Sequence, residues 1–234
     1  AIACTDGSSV VYKGGAILSA NQFFAKQKAS AVSILTKGKK HRHASSAFLN
    51  DLSLKHDCFL KDQMHKLSTA IVRYCIAHRI GILVVGTNRL WKQHASMSKE
   101  NNQKFVSIPH EKLRWMISYK ALIAGIEVIW QEESYTSKAD CTAGDLIPVY
   151  GKEKTHLVFS GRRIERGLYL CKAGYCINAD CNGAANILRK AFPHAWDKCK
   201  DFQFLSTPAS VGFESLNPSS IPNRQKQRAA NKKK

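Results

Sequence analysis

The sequence lacks the features of a membrane protein and of a secreted, disulfide-bonded scaffold. No apolar run approaches the roughly 20 residues that a membrane-spanning helix requires, and no apolar signal segment stands at the start. The chain has eight cysteines, but none forms the C-x-x-C pair on which a zinc ribbon is usually built. These absences favour a cytoplasmic protein with reduced thiols.

Acidic residues are scarce for the size of the chain. Lys and Arg total 36 against 17 for Asp and Glu, which gives a formal net charge of +19 over 234 residues. The excess runs through much of the sequence and indicates a polyanionic partner, most commonly nucleic acid. A basic surface that only confers solubility is the alternative. The 44% hydrophobic content is enough to bury the core of one domain of about 150 to 200 residues.

The apolar pattern predicts an α/β domain. Strands and helices alternate, and two short, continuous apolar runs are typical of buried strands. The first residues predict two short strands joined by the turn Thr5-Asp6-Gly7-Ser8. Further buried strands are predicted at 82–86 (ILVVG) and 126–131 (IEVIWQ), and helices at about 19–37, 45–78, 110–125 (opened by Pro109 and ended by Gly125) and 178–192.

Two adjacent acids, Glu132 and Glu133, follow the second apolar run, and Asp180 lies at the start of the last predicted helix. A carboxylate is costly to desolvate without a cation or hydrogen-bond donor. Asp180 alone is typical of an N-cap or first-turn acid, which the helix dipole favours. A strand-end acid and a helix-start acid also suit Mg²⁺ or Mn²⁺. A two-ion nuclease site, however, generally needs three or more carboxylates.

Five segments follow one another along the chain: LVVGTNRLWKQ, NQKFVSIPHEKLRWMISYKALIAGIEV, EESYTSKAD, FSGRRIERGLY and INADCNGAANILRK. This order of motifs resembles the carboxy-terminal half of the OrfB/TnpB transposon proteins, from residue 1 to about 193. The resemblance implies a transposase-associated, RNA-guided, metal-dependent DNA endonuclease. It implies Mg²⁺ or Mn²⁺ as cofactor, and DNA and a guide RNA as partners.

The same resemblance implies an RNase H-like (RuvC) nuclease core over residues 1–192. Within it, a long helical insertion is expected at about 19–80 and a degenerate, zinc-free ribbon region at about 138–176. Residues 193–234 are basic and rich in Pro and Ser, and their composition predicts a disordered tail. Zinc is not expected, because the cysteines near the ribbon position stand singly, at Cys141, Cys171, Cys176 and Cys181.

The family's site resembles a set of three acids, of which this chain is expected to hold two. The first Asp would lie upstream of the first residue, so an amino-terminal truncation is expected; Asp6 falls in a turn and is no substitute. The third acid matches Asp180. The second ends the ILVVG strand in most relatives, where this chain has Gly86. Since adjacent strand residues face opposite ways, either Glu132 or Glu133 replaces it, and Glu133 is favoured.

Four basic residues are candidates for nucleic-acid contacts: Lys92, Lys138, Arg162 and Arg163. The two arginines are expected in a Gly-flanked loop, where guanidinium groups can bind phosphate bidentately; a loop that is only solvated is the alternative. Lys92 follows Trp91, which suits either base stacking or packing beneath its loop.

Two functions remain open at this point. The first is the endonuclease described above, with Glu133 and Asp180 as catalytic and metal-binding residues and with this chain inactive alone because the first Asp is lacking. The second is a non-catalytic, nucleic-acid-binding remnant of such a protein. The cysteine spacing disfavours a third class, the structural zinc-ribbon adaptor.

Overall fold

The computed structural model describes residues 1–38, 45–87, 109–149, 151 and 157–216. These residues form an α/β structure, which confirms the predicted class. The helices and strands, in chain order, are β1 Ile2–Ala3, β2 Ser9–Lys13, α1 Gly15–Leu35, α2 Ala47–Ala77, β3 Ile82–Thr87, α3 His110–Ile123, β4 Glu127–Glu132, β5 Arg162–Glu165, β6 Leu168–Leu170, β7 Cys176–Asn178, α4 Ala179–Ala191 and β8 Ala209–Gly212.

The described strands form three sheets. β1, β2 and β8 make one sheet in the order β1-β2-β8, and β1 pairs antiparallel with β2, as the turn signal predicts. β3 and β4 pair in parallel, with Val85 opposite Trp130 and Thr87 opposite Glu132. β5, β6 and β7 form an antiparallel sheet. The parallel pair brings the carboxyl ends of both predicted buried strands to one edge, where Glu132 and Glu133 lie.

The chain divides into two compact units, of which the first comprises Ala1–Tyr12, Tyr74–Ala95 and Ala121–Val211. Its core lies around α4 and the β5-β6-β7 sheet. Helix α4 packs against β1, β3, β4, β6 and β7, so it contacts both strands of the parallel pair. The buried residues of this core are Cys141, Tyr169, Cys171, Ile177, Ala179, Cys181, Ala185, Trp196 and Leu205.

The second unit comprises Lys13–Arg73, Ser96–Lys120 and Gly212–Lys234. Lys120 fastens α3 to α2 within it: its Nζ donates to the backbone oxygen of His65 (2.8 Å) and to the hydroxyls of Ser68 (2.6 Å) and Thr69 (2.8 Å). Burial lowers the pKa of Lys120, because a charged ammonium group is costly to desolvate. No helix among the described residues is long and apolar enough to cross a membrane.

Helix α3 ends as its sequence predicts. Gly125 has a φ of +71°, the left-handed conformation that glycine adopts without a side-chain penalty. The amide of Ile126 donates to the carbonyl of Ala121 at 2.9 Å, a bond typical of a glycine-terminated helix. This turn leads directly into β4 and so sets where that strand begins.

The structure differs from the sequence analysis in two places. Arg162 and Arg163 lie on strand β5 of a hairpin rather than in a loop, because Gly167 (φ +84°) provides the turn to β6. Residues 193–216, expected in a disordered tail, hold a 3₁₀ turn at Gln203–Leu205, strand β8 and a 3₁₀ turn at Phe213–Leu216. Trp196 anchors the start of this segment: it is buried, and its Nε1 donates to the Ala185 carbonyl at 3.0 Å.

Candidate active site

Glu132, the last residue of β4, forms an ion pair with Lys190 of α4. Its carboxylate also accepts the Ser134 amide at 2.7 Å. The Lys190 side chain is only 7% exposed, and its Nζ donates further to the carbonyls of Pro148 (2.9 Å) and Ser134 (3.2 Å). Burial raises the pKa of Glu132, but the Lys190 and Ser134 bonds outweigh it and leave the pKa below its usual value. Glu132 therefore serves to join β4 to α4.

The side chain of Glu133 lies on the opposite face of the strand from that of Glu132 and contacts Gly86 of β3. A Cβ built on Gly86 would stand 2.5 Å from Oε2 of Glu133 and 2.8 Å from Cδ1 of Ile187, closer than real Cβ atoms approach. The backbone of Glu133 continues the parallel ladder, because its amide donates to the Thr87 carbonyl at 3.1 Å. The Glu133 carboxylate thus occupies the space that a side chain at residue 86 would fill.

Asp180 lies in the first turn of α4 and is exposed. The capping role belongs to Asn178, whose side-chain oxygen accepts the amides of Asp180 (3.0 Å) and Cys181 (3.1 Å). Asp180 is therefore not needed as the N-cap. It precedes Ile187 by seven residues, about two helical turns, so both lie on one face of α4 about 10 Å apart along its axis. Ile187 is the residue of that face that lies against Gly86.

Two buried asparagines of α4 hold the loop between the two acids. Asn182 donates to the Ala139 carbonyl at 2.9 Å and accepts the Cys141 amide at 3.1 Å. Asn186 donates to the carbonyls of Ala139 (2.7 Å) and Thr136 (2.9 Å). Both side chains are fully buried. They satisfy backbone groups that would otherwise be buried without partners, and they tie the loop after Glu133 to the helix that carries Asp180.

The loop after Glu133 includes a residue with uncommon backbone geometry. Tyr135 has a φ of +63°, which costs a bulky side chain conformational energy. Its ring lies 6.3 Å from the ring of Phe159, and Nζ of Lys138 lies 5.9 Å from its centroid. The turn that follows the acid is thus held in one specific conformation.

The predicted basic residues fall on or beside the β5-β6 hairpin where the structure describes them. Lys138, Arg162 and Arg163 are all exposed, and the Lys138 carbonyl accepts the Tyr169 hydroxyl at 2.7 Å, which ties its loop to β6. Lys92 and its neighbour Trp91 lie outside the described residues. The structure thus associates three of the four basic candidates with one hairpin and its neighbouring loop.

Asp6, which the sequence analysis set aside, is engaged in the β1-β2 turn. Its Oδ1 accepts the amide (2.9 Å) and hydroxyl (2.5 Å) of Ser8, and its Oδ2 lies 2.6 Å from Nδ1 of His78. Burial raises the pKa of Asp6, but the bonds from Ser8 and His78 outweigh it and lower the pKa overall. The carboxylate stabilises this hairpin and its junction with the end of α2.

Metal binding at this site depends on how many ligands the described residues bring together. No group of three or more His, Cys, Asp and Glu side chains converges on a common point among the described residues. Glu133 and Asp180 offer hard oxygen ligands of the kind that Mg²⁺ prefers, but two carboxylates fall short of the set that holds two dications. The described residues therefore do not fit a complete two-ion centre by themselves.

Several residues that shape this site carry no recognisable signal in the sequence. Lys190 is one basic residue among 36, and its pairing with Glu132 spans 58 positions. The roles of Asn182 and Asn186 depend on partners that lie 43 and 50 positions away in the sequence. Gly86 was noted for the acid it lacks, and its contact with Glu133 follows from the parallel pairing of β3 with β4.

Comparison with protein families matches two parts of the chain. Residues 1–92 match a family described as "Probable transposase", OrfB_IS605. Residues 110–187 match "Cas12f1-like, TNB domain", and this match includes Glu133, Asp180 and both asparagines. Together the two matches support a TnpB/OrfB-type family protein. The first match ends in the segment after β3, and the second begins with α3.

The curated and solved proteins to which the chain is similar include Cas12f proteins. A "CRISPR-associated endodeoxyribonuclease Cas12f2" from Micrarchaeota archaeon (strain CG1_02_47_40) is 30% identical over 135 residues. That alignment covers 54% of this chain and 23% of the relative, so the match spans about a quarter of the relative's length. A chain in a cryo-EM structure of a Cas12f1–sgRNA–target DNA complex aligns with a TM-score of 0.45 at 20% identity, covering 70% of this chain and 40% of that one.

Proposed function

We propose that this chain supplies two of the acids, Glu133 and Asp180, of a transposase-associated, RNA-guided and metal-dependent DNA endonuclease. The observation that carries the proposal is the position of the Glu133 carboxylate, which fills the space beside Cα of Gly86. The resemblance places the second acid of most relatives at residue 86. Glu133, on the neighbouring strand, thus places its carboxylate where the side chain of an acid at residue 86 would start.

The proposed fold is an RNase H-like (RuvC) core within residues 1–192, with the helical insertion at about 19–80. The parallel β3-β4 pair packed on α4 supports it, because ligands of α/β sheets bind beyond the carboxyl ends of the strands. β4 delivers Glu133 to that edge and α4 supplies Asp180. The division into two units along the chain supports treating the insertion as a separate body.

The residues around the acids act by positioning. Lys190 neutralises Glu132 and fixes its side chain, so the adjacent Glu133 must leave the strand on the opposite face. Asn186 holds the Thr136 carbonyl, and the Thr136 hydroxyl donates to the Glu133 carbonyl at 2.8 Å. A bound Mg²⁺ or Mn²⁺ would supply Lewis-acid activation of the phosphate and water. The residues of this chain would hold the carboxylates of Glu133 and Asp180 in position.

Nucleic-acid binding is proposed for the exposed basic residues Lys138, Arg162 and Arg163, and for Lys92 of the segment after β3. Arginine forks suit bidentate contacts with phosphate oxygens. The +19 net charge supports a strong, salt-dependent attraction to DNA and RNA. The proposed partners are accordingly target DNA and a guide RNA.

A non-catalytic, nucleic-acid-binding remnant is the second candidate function. It is favoured by one observation, that the described residues bring together no group of three or more metal-binding side chains. Both candidates share the basic surface, so binding alone does not separate them. Metal-dependent cleavage of DNA distinguishes the two candidates.

The chain alone is expected to bind nucleic acid without cutting it. Purified protein, guide RNA, target duplex and Mg²⁺ should give a retarded complex on a native gel and no cleaved strand on a denaturing gel, because two carboxylates leave part of a two-ion site unsupported. The variant Lys138→Ala/Arg162→Ala/Arg163→Ala is the control for binding and should weaken the complex. Robust cutting by the unmodified chain would contradict the expectation, and absence of any complex would contradict the proposed partners.

A further inference from the structure

We infer that Asp140 is a buried carboxylate clasp that joins two turns of the ribbon region and takes the structural place that a zinc ion would have there. Asp140 is fully buried. Its Oδ1 accepts the amide (2.9 Å) and the hydroxyl (2.7 Å) of Thr142, and its Oδ2 accepts the amide of Lys172 (2.7 Å). One side chain therefore bonds to two turns that lie 30 residues apart in sequence.

Each of the two turns is built as a tight loop with a left-handed glycine. Gly144 (φ +70°) lies in the first and Gly174 (φ +86°) in the second. The second turn is closed by the Gly174 amide, which donates to the Cys171 carbonyl at 3.0 Å. One amide from each turn donates to the Asp140 carboxyl group, which gives these backbone donors a partner in a buried position.

A second carboxylate extends the clasp. Asp145 Oδ2 accepts the Asp140 amide (2.9 Å) and the Ser160 amide (2.8 Å). Burial raises the pKa of Asp145, but these amide bonds outweigh it and lower the pKa overall. Arg189 of α4 donates to the Asp145 carbonyl at 2.5 Å. The network thus links the first turn, the residue two positions before strand β5, and α4.

The thiols of this region are unsuited to the role of zinc ligands. Cys141, Cys171 and Cys181 are buried in the apolar core rather than directed at one point, while zinc requires deprotonated thiolates in tetrahedral array. Burial, and to a lesser degree the charge of Asp140, raises the pKa of Cys171 to about 11. Cys171 is therefore a poor source of the thiolate that zinc requires.

The clasp also positions residues of the nucleic-acid surface. It bonds to the turn directly after Lys138 and to the turn directly after β6, the partner strand of Arg162 and Arg163. The relative placement of these three cations then depends on one carboxylate and not on a metal. This inference is independent of whether the protein cuts DNA.

Hydrogen–deuterium exchange of the unmodified protein in excess chelator tests the clasp directly. The amides of Thr142 and Lys172 should stay protected, and the melting temperature should be the same with and without chelator. Exchange of both amides at the rate of open loops would overturn the inference. So would a cobalt titration that produced a stoichiometric thiolate-to-metal absorption band, since cobalt reports tetrahedral thiolate sites.

The variant Asp140→Asn gives the matching test by substitution. Asparagine keeps the shape of the side chain, but its NH₂ group would face one of the donors of Thr142 or Lys172. We therefore expect the melting temperature to fall by roughly 10 °C. Asp197→Asn is the control, because Asp197 is exposed and pairs only with exposed His194 in the first unit; it should leave the melting temperature nearly unchanged. Equal effects of the two substitutions would overturn the inference. If Asp140→Asn does not fold, the exchange experiment on the unmodified chain decides.

Discussion

Replacing Gly86 with alanine is expected to lower the affinity of the protein for Mn²⁺ at least tenfold while changing the free energy of unfolding by only about 1 kcal/mol. The added methyl would stand 2.5 Å from Oε2 of Glu133 and 2.8 Å from Cδ1 of Ile187. Both are far ends of flexible side chains, so they can rotate away at small cost. The carboxylate then leaves its position, and displacing a ligand in this way typically costs ten- to a hundredfold in metal affinity.

Gly183→Ala is the matched control for this substitution. It adds the same methyl group in α4, near Asp180, where no atom lies within 4 Å of the new Cβ. It should leave Mn²⁺ affinity unchanged and stabilise the helix slightly, since alanine is favoured over glycine by up to about 1 kcal/mol. If Gly86→Ala bound Mn²⁺ as tightly as Gly183→Ala does, the Glu133 carboxylate would not be a ligand from its position beside Gly86.

Replacing Asn186 with alanine should lower the free energy of unfolding by about 3 kcal/mol. The side chain is fully buried and donates to the carbonyls of Thr136 and Ala139, while its oxygen accepts from Arg189 at 3.1 Å. Its removal leaves these buried groups without partners and also leaves a cavity. Urea denaturation followed by circular dichroism measures the change.

Asn50→Ala provides the same chemical change at an exposed position of α2. It should alter the free energy of unfolding by no more than about 0.5 kcal/mol. A loss at Asn186 as small as the loss at Asn50 would show that the loop between Thr136 and Cys141 does not depend on α4. The positioning role assigned to the asparagines would then be wrong.

The elements with strong local signals could be predicted from the sequence. The apolar runs of β3 and β4, the long periodic helix α2 and the Pro109–Gly125 helix all appear near their predicted bounds. The β5-β6 hairpin was missed because its strands are short and β5 is exposed along its whole length, so neither shows the alternation that indicates a strand. The structure of residues 193–216 depends on burying Trp196 and Leu205 against a core formed by other segments, which composition does not show.

The candidate site was predictable as a set of residue types and not as an arrangement. The sequence does not show which of two adjacent glutamates at a strand end has its side chain directed to the site. Lys190 and Glu132 are 58 residues apart in the sequence, so no local sequence pattern indicates that they pair. The same applies to Asp140, whose bond to Lys172 spans 32 positions. Local periodicity predicts strands and helices, whereas these contacts depend on how α4 packs on the sheets.

The pairing of Glu132 with Lys190 accounts for two adjacent acids at the end of a half-buried strand. One carboxylate is offset by a buried ammonium group, as the cost of desolvating it requires. The other is directed to the opposite face, toward Gly86. The two glutamates therefore have separate tasks: Glu132 fastens β4 to α4, and Glu133 is the acid proposed for the site with Asp180.

A titration of Mn²⁺ followed by electron paramagnetic resonance, on the unmodified protein and on the variants Glu133→Gln and Glu132→Gln, tests this division most directly. Each variant removes one negative charge from adjacent positions, and circular dichroism would show that each is folded. Our account predicts weak binding by the unmodified protein, retention of that binding in Glu132→Gln and its loss in Glu133→Gln. Loss in Glu132→Gln with retention in Glu133→Gln would contradict it.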